Sequence, residues 1–301
     1  MTDAKPYRCG YVAIVGEPNV GKSTLLNAVL NEKLSIVTRK PQTTRQRVLG
    51  IYSTDAAQMI FLDTPGLISP KYRLHEEMLR HADAALADAD VVVVLTDALR
   101  GASLAPEVEQ RLASIGTAKP LLLVINKADA VYKPTLLPMM DAFIKRGTFR
   151  EVIPISALKK VNVDDLLRSV EAMLPEHPPL YPTDIISEQP ERFFAAEFIR
   201  EKIFQQFREE IPYSTAVDIR DYREEEGKKI LINADIVVER ESQKGILIGS
   251  GGAHLKRVGT DARRDIERFI ERPVFLELHV KVREHWRDDD HALKALGYRA
   301  E

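Results

Sequence analysis

Gly16-Glu17-Pro18-Asn19-Val20-Gly21-Lys22-Ser23 matches the pattern G-x-x-x-x-G-K-S/T. It follows the apolar run Tyr11–Val15 and opens the helical stretch Lys22–Leu30, a strand-to-helix junction. Its glycines let backbone N–H groups curl around phosphate oxygens, and the helix start adds a favourable dipole. Lys22 is placed to reach β- and γ-phosphates, and the Ser23 hydroxyl to ligate Mg²⁺. Gly16 to Ser23, with Thr24 behind them, are therefore expected to hold a nucleotide. The loop alone does not separate ATP from GTP.

Outward from this loop, the runs Ile60–Leu62, Val91–Leu95, Leu121–Ile125 and Val152–Ile155 are rich in Val, Ile and Leu without polar alternation. Such runs read as strands buried on both faces. The stretches Glu76–Ala87 and Pro106–Ile115 read as helices between them. Alternating strands and helices predict an α/β domain with right-handed crossovers.

Asn126-Lys127-Ala128-Asp129 follows the run Leu121–Ile125 and decides the base. A carboxylate at Asp129 can accept from guanine N1–H and its exocyclic amine, a pair that adenine lacks. Asn126 can bridge to guanine or brace the phosphate loop, and Lys127 can lay its stem on the base. Ser156-Ala157-Leu158 follows Val152–Ile155 and could offer a backbone N–H to guanine O6. Asp63-Thr64-Pro65-Gly66 places a carboxylate for Mg²⁺ and a Gly66 N–H for the γ-phosphate. Between these lies the polar segment Lys33–Gly50, an expected order–disorder switch. Thr43 and Thr44 are both candidates there for a Mg²⁺ ligand, with Thr44 preferred. The metal set is then Ser23, Thr44 and Asp63.

Leu67 follows Gly66, and no glutamine or histidine stands close by to orient water. Unassisted hydrolysis should be slow, on the order of 10⁻⁴ to 10⁻² per second. Catalysis would rest on Lys22, Mg²⁺ and backbone donors such as Gly66. Asn19 has two readings: ordinary turn chemistry, or a ligand for K⁺ beside the β–γ bridge.

The chain has 301 residues, 45% hydrophobic and 29% charged, with a net charge of −2. This suits two globular domains and excludes a bulk polycation, so any nucleic-acid contact needs a local basic patch. The single cysteine, Cys9, excludes an internal disulfide and fits a reducing cytosol. Met1–Arg8 has no apolar leader segment, and no run approaches the roughly 20 residues of a membrane span. The nucleotide domain is expected over 1–178. Pro175, Pro178, Pro179 and Pro182 mark a stiff connection, placed over 179–190.

Residues 191–301 follow another order. Helical spacing over Phe194–Phe207 precedes strands at Thr215–Ile219 and Ile230–Val238. A helix with its apolar face at Leu255, Val258, Ala262, Ile266 and Phe269 precedes the alternating strand Val274–Val282. Within this α+β module, Ile248-Gly249-Ser250-Gly251-Gly252 fits the G-x-x-G loop of a KH domain, which clamps single-stranded nucleic acid. From Lys244 to Arg268 there are six Lys/Arg against three Asp/Glu, the required basic patch. Lys244, Ile248 to Gly252, His254, Lys256, Arg257 and Arg264 are the candidate RNA contacts. Leu255 and the rest of its stripe read as core, and Trp286 and Tyr298 as packing anchors.

Together Gly16–Ser23, Pro41–Arg45, Asp63–Gly66, Asn126–Asp129, Ser156–Ala157, Gly249–Gly252 and the tail from Trp286 to Tyr298 resemble the Era family of bacterial GTPases over nearly the whole chain. The resemblance implies a P-loop GTPase domain, with a mixed, mostly parallel six-stranded sheet flanked by helices, joined to an α+β type II KH domain. It implies GTP/GDP as substrate and product, Mg²⁺, and binding to the 3′ end of 16S ribosomal RNA in 30S subunit maturation. It further implies a cytoplasmic monomer with peripheral association at the inner membrane. Ser250 departs from the family pattern, which carries lysine there, and removes one expected phosphate contact. Two other functions fit the same motifs: an RNA chaperone whose nucleotide site is structural, and a GTPase acting on a membrane or protein partner.

Overall fold

The computed structural model describes residues 6–116 and 118–299. The reading of Met1–Arg8 falls mostly on residues 1–5, outside these, as do residues 300 and 301 of the second expected domain. The described chain forms two compact units. One takes residues up to 35, 44–70 and 78–188; the other takes 36–43, 71–77 and 189 onward.

The first unit contains β1 (Arg8–Gly16), α1 (Lys22–Leu30), β2 (Val48–Ser53), β3 (Ala57–Asp63), α2 (Arg73–Asp88), β4 (Val91–Asp97), α3 (Pro106–Ile115), β5 (Leu121–Asn126), α4 (Leu136–Ile144), β6 (Glu151–Pro154) and α5 (Val163–Met173). The first turn of α2 belongs to the second unit. Its six strands run in the order β2-β3-β1-β4-β5-β6. Only β2 is antiparallel to its neighbour. This is the mixed, mostly parallel sheet expected. Val12, Ala13 and Ile14 of the inner strand β1 are wholly buried, which is why these strands lack polar alternation. The loops that follow β1, β3, β5 and β6 lie at the carboxyl ends of the strands, where open α/β sheets bind ligands.

Two expectations change. Val48, Leu49 and Gly50, assigned to the switch segment, instead pair with Asp63, Leu62 and Phe61 as part of β2. Gly50 breaks the apolar pattern because α1 lies against it. A Cβ there would meet Leu30 and Leu26 side chains at 2.6 and 2.7 Å. The stretch 179–190, expected as a stiff connection between domains, is instead tied along 180–186 to the sheet of the first unit. Leu180 and Tyr181 both donate backbone N–H to Gln58 Oε1, at 2.8 and 2.9 Å. Ile51 donates to the Ile186 carbonyl at 2.8 Å. Gln58 is fully buried, so these bonds satisfy a side chain that would otherwise be costly to bury.

The second unit adds α6 (Glu191–Gln206), β7 (Ala216–Arg223), β8 (Ile230–Val238), α7 (Glu241–Ile248), α8 (Ala253–Ile270), β9 (Val274–Val282) and α9 (Asp290–Ala295). β7 and β8 are antiparallel, β8 and β9 parallel, giving the type II KH order. Phe194, Phe198, Ile199 and Ile203 of α6 and Val258, Ala262 and Ile266 of α8 form the core. Phe269 closes it with ring contacts to Phe194 and Phe198 at 4.8 and 5.4 Å. Trp286 is fully buried, donates Nε1–H to the Ser214 carbonyl at 2.9 Å and stacks on Tyr298, as an anchor should. No helix among the described residues is long and apolar enough to cross a membrane.

Candidate functional site

The loop from Gly16 to Gly21 turns β1 into α1. Gly21 has φ of 102° and caps α1 in the left-handed region. A Cβ there would meet Asn126 Nδ2 at 2.2 Å, so only glycine fits both the angle and the space. Asn19 also has positive φ, 66°, a conformation asparagine tolerates. Pro18 packs so closely on Gly66 that a Cβ on the glycine would sit 2.8 Å from it. The Leu67 N–H donates to the Gly16 carbonyl at 3.1 Å, tying the loop after β3 to the phosphate loop. Glu17 is buried, accepts from the Ala105 N–H at 3.2 Å and pairs with Arg100.

Lys22, Ser23, Thr44 and Asp63 are all buried. Lys22 Nζ donates to the carbonyls of Gly16 and Glu17 at 3.1 and 2.8 Å. Burial pushes its pKa down to about 8 against the opposing pull of Asp63. Ser23 Oγ lies 2.9 Å from Thr44 Oγ1 and donates to Asp63 Oδ2 at 2.7 Å. Thr44 Oγ1 donates to the same oxygen at 3.4 Å. Asp63 Oδ1 is buried without a hydrogen-bond partner, and burial pushes this carboxyl up, against the hydroxyl of Ser23 and the charge of Lys22. Three hard oxygen donors around an orphaned carboxylate oxygen are the donor set Mg²⁺ prefers. The residues fit that ion. Thr43 is half-buried and clusters with the second unit. Thr64 is buried with its hydroxyl on the Ile14 carbonyl at 2.8 Å; its neighbour Pro65 is also buried, and Thr24 half-buried.

The base-reading residues converge from β5 and β6. Asn126 donates Nδ2–H to the Val20 carbonyl at 2.8 Å and accepts from the Ala157 N–H at 3.0 Å. Lys127, at φ 60°, pairs with Asp97 at the end of β4, 2.6 Å away. Asp129 Oδ2 lies 3.3 Å from Lys159 Nζ. The Ser156 hydroxyl, then Lys159, hold its carboxyl below the ordinary range, so it is an acceptor at neutral pH. Leu158 is 78% exposed. Asp97, Lys159 and Arg100 were missed in the sequence. The signal for Asp97 was its place at the end of a buried strand.

In the second unit a cleft of about 390 Å³ opens between α8 and β9, lined by Leu255, Lys256, Gly259, Arg263, Leu276 and Leu278 among others. Gly252 also lines it, at φ 80°, with Gly249 and Gly251 also at positive φ. Lys256 is the one candidate cation in the cleft wall. Arg257 and Arg264 lie on another face of α8, and Arg264 faces Asp261 at 3.8 Å. Lys244, on α7, faces Glu241 at 3.9 Å. His254 braces the loop instead of opening toward it: Nδ1–H donates to the Ile246 carbonyl at 2.9 Å, and a Cβ on Gly249 would strike its ring at 2.6 Å. Ile248 is half-buried and Ser250 exposed. Leu255 is a correction. It is half-buried and lines the cleft, where the sequence reading made it core. Gly259 was missed, and Arg263 counted only in the basic patch and not among the RNA contacts, because helical spacing alone does not say which face a strand leaves uncovered.

The family model "50S ribosome-binding GTPase" matches residues 11–127, and the model "KH domain" matches residues 210–287. GTPase Era from Geobacter metallireducens is 46% identical over 301 residues, covering 99% of this chain and all of the relative. The chain belongs to the Era family of GTPases. "GTPase ERA-like, chloroplastic" from Arabidopsis thaliana is also 46% identical, over 97% of this chain and 69% of its own length. A crystal structure of Era in complex with MgGDPNP and nucleotides 1506–1542 of 16S ribosomal RNA superposes with a TM-score of 0.93. It is 42% identical and covers 98% of this chain and all of its own. A variant of Aquifex aeolicus Era bound to GDP·AlF4⁻ gives the same TM-score and identity, over 97% of this chain and 100% of its own. The Era-family assignment makes this chain a GTPase with a C-terminal KH domain.

Proposed function

We propose that this Era-family GTPase binds GTP with Mg²⁺ between the phosphate loop and Asn126–Asp129, hydrolyses it slowly, and uses the nucleotide to control RNA binding at the α8–β9 cleft. The observation that carries the reading is the meeting of Ser23, Thr44 and Asp63. Thr44 directly follows residues 36–43, which count with the KH unit, so filling a metal and phosphate site that includes Thr44 also constrains that segment.

Mg²⁺, when bound by Ser23, Thr44 and Asp63, would supply charge neutralisation at the phosphates. Lys22, held over the loop, contributes positive charge, and the N–H groups from Gly16 to Ser23 orient the phosphates. Gly66 reads the γ-phosphate through its N–H. Leu67 is buried and cannot orient water, so turnover is set by charge stabilisation and stays slow. Asn19 is assigned to a K⁺ ion that stimulates this step.

Its RNA is single-stranded. Lys256 and Arg263 face phosphate while Leu255, Leu276 and Leu278 offer apolar surface to bases. By the likeness to the RNA-bound Era, the target is the 3′ end of 16S ribosomal RNA, and the task is assistance in 30S subunit maturation. A cytoplasmic monomer with peripheral hold on the inner membrane completes the proposal, carried by family likeness alone.

The test is turnover of GTP and ATP in Mg²⁺ with KCl or NaCl. GTP hydrolysis that needs Mg²⁺ and runs faster in KCl supports the reading. Equal use of ATP would sink the base assignment, and equal rates in the two salts would remove the K⁺ role of Asn19.

A further inference from the structure

The segments 36–43 and 71–77 flank the nucleotide-site residues in sequence, yet both count with the second unit. Their attachment is specific. Lys40 Nζ donates to the carbonyls of Phe204 and Phe207 at the end of α6. Those acceptors lack a partner within the helix, and a cation there meets the negative end of its dipole. The Val37 N–H donates to Glu201 Oε1 at 3.3 Å. Gln42 Oε1 lies 3.1 Å from His75 Nε2, and His75 Nδ1 accepts from the Lys71 N–H at 3.3 Å. The ring therefore carries its proton on Nε2 and joins the two segments.

Behind Glu201 runs a buried chain of charge. Glu201 is 1% exposed and Lys202 7%. Lys202 Nζ lies 3.2 Å from Glu201 Oε2 and pairs with Asp265 of α8. Gln206 Nε2, one turn on, donates to Asp261 Oδ2 at 2.8 Å. Buried charges are costly unless paired, so each member constrains the next. Asp261 and Asp265 stand on the same helix as Leu255, Lys256, Gly259 and Arg263 of the RNA cleft.

We propose that Lys40 and Glu201 are positioning residues that transmit the state of the nucleotide site to the RNA cleft. They fix the 36–43 segment on α6, and Lys202–Asp265 and Gln206–Asp261 carry the position of α6 to α8. Neither residue belongs to the nucleotide-site or RNA-cleft residues named above. The inference rests on the switch reading above, and it names the route.

The experiment compares RNA affinity in two nucleotide states. A labelled single-stranded RNA copying the 3′ end of 16S ribosomal RNA is titrated into the full chain with GDP and with a non-hydrolysable GTP analogue, at matched salt. The readout is the ratio of the two Kd values, which a general loss of KH folding would not move selectively. Lys40→Met should bring the ratio to within about twofold of one with the GDP-state Kd retained, and Glu201→Ala, which removes the acceptor for the Val37 N–H, should do the same with a lowered melting temperature. Lys40→Arg, which restores a donor at the helix end, should keep the wild-type ratio. A wild-type ratio above one that survives in both variants overturns this inference alone. A wild-type ratio of one overturns the switch reading and the inference with it.

Discussion

Asn126 donates its side-chain amide to the Val20 carbonyl at 2.8 Å, so the residue that opens the base-reading motif also clamps the phosphate loop. Its oxygen meanwhile accepts from Ala157. One buried side chain thus holds three loops in register. Asn126→Ala leaves a carbonyl and an N–H without partners, at about 1–3 kcal/mol. GTP and GDP affinity should both fall roughly 10- to 100-fold, measured by titration of a fluorescent nucleotide. Unchanged affinity would mean the loops hold their shape without it.

Asp129→Asn exchanges two acceptor oxygens for one acceptor and one donor. GTP affinity should drop by at least about 100-fold, while xanthosine triphosphate, with a carbonyl where guanine has its amine, should bind better than to wild type. Competition binding with both nucleotides checks this. Parental GTP affinity would refute the role of Asp129.

Thr44 and Thr43 are adjacent, but Thr44 Oγ1 is the one 2.9 Å from Ser23 Oγ. Thr44→Val should slow Mg²⁺-dependent hydrolysis at least about 10-fold and leave GDP affinity within about twofold. Thr43→Val should leave both near wild type. Single-turnover assays on the pair would expose a reversed order.

How far the sequence spoke depended on whether the meaning sat in neighbouring residues. Gly16–Ser23 and Asn126–Asp129 are contiguous, and each residue's part follows from local geometry. Asp97 is 30 positions from Lys127, and only the register of β4 with β5, which sets Asp97 opposite Asn126, brings it into the site. Glu201 and Lys202 carry no signal in the sequence. Their burial depends on what packs over α6, which no periodicity encodes. Leu255 followed the spacing of core residues, yet it sits at the end of its stripe, where β9 does not cover it.

In the cleft, Arg263 and Lys256 should matter more than Arg257. Lys256→Ala or Arg263→Ala should weaken single-stranded RNA binding and lower the salt slope by roughly one unit. Arg257→Ala should change neither by as much. Titrations at three salt concentrations decide it, and a dominant Arg257 would move the RNA path to the other face of α8.

The central claim is that the GTP state governs RNA binding. The direct measurement is the affinity of wild-type protein for the 16S 3′-end RNA in a GTP analogue and in GDP, at matched salt. The account predicts binding at least about 10-fold tighter in the analogue, with RNA raising analogue affinity by the same factor relative to GDP. Equal affinity in both states would contradict it and leave an RNA-binding protein whose nucleotide site serves another purpose.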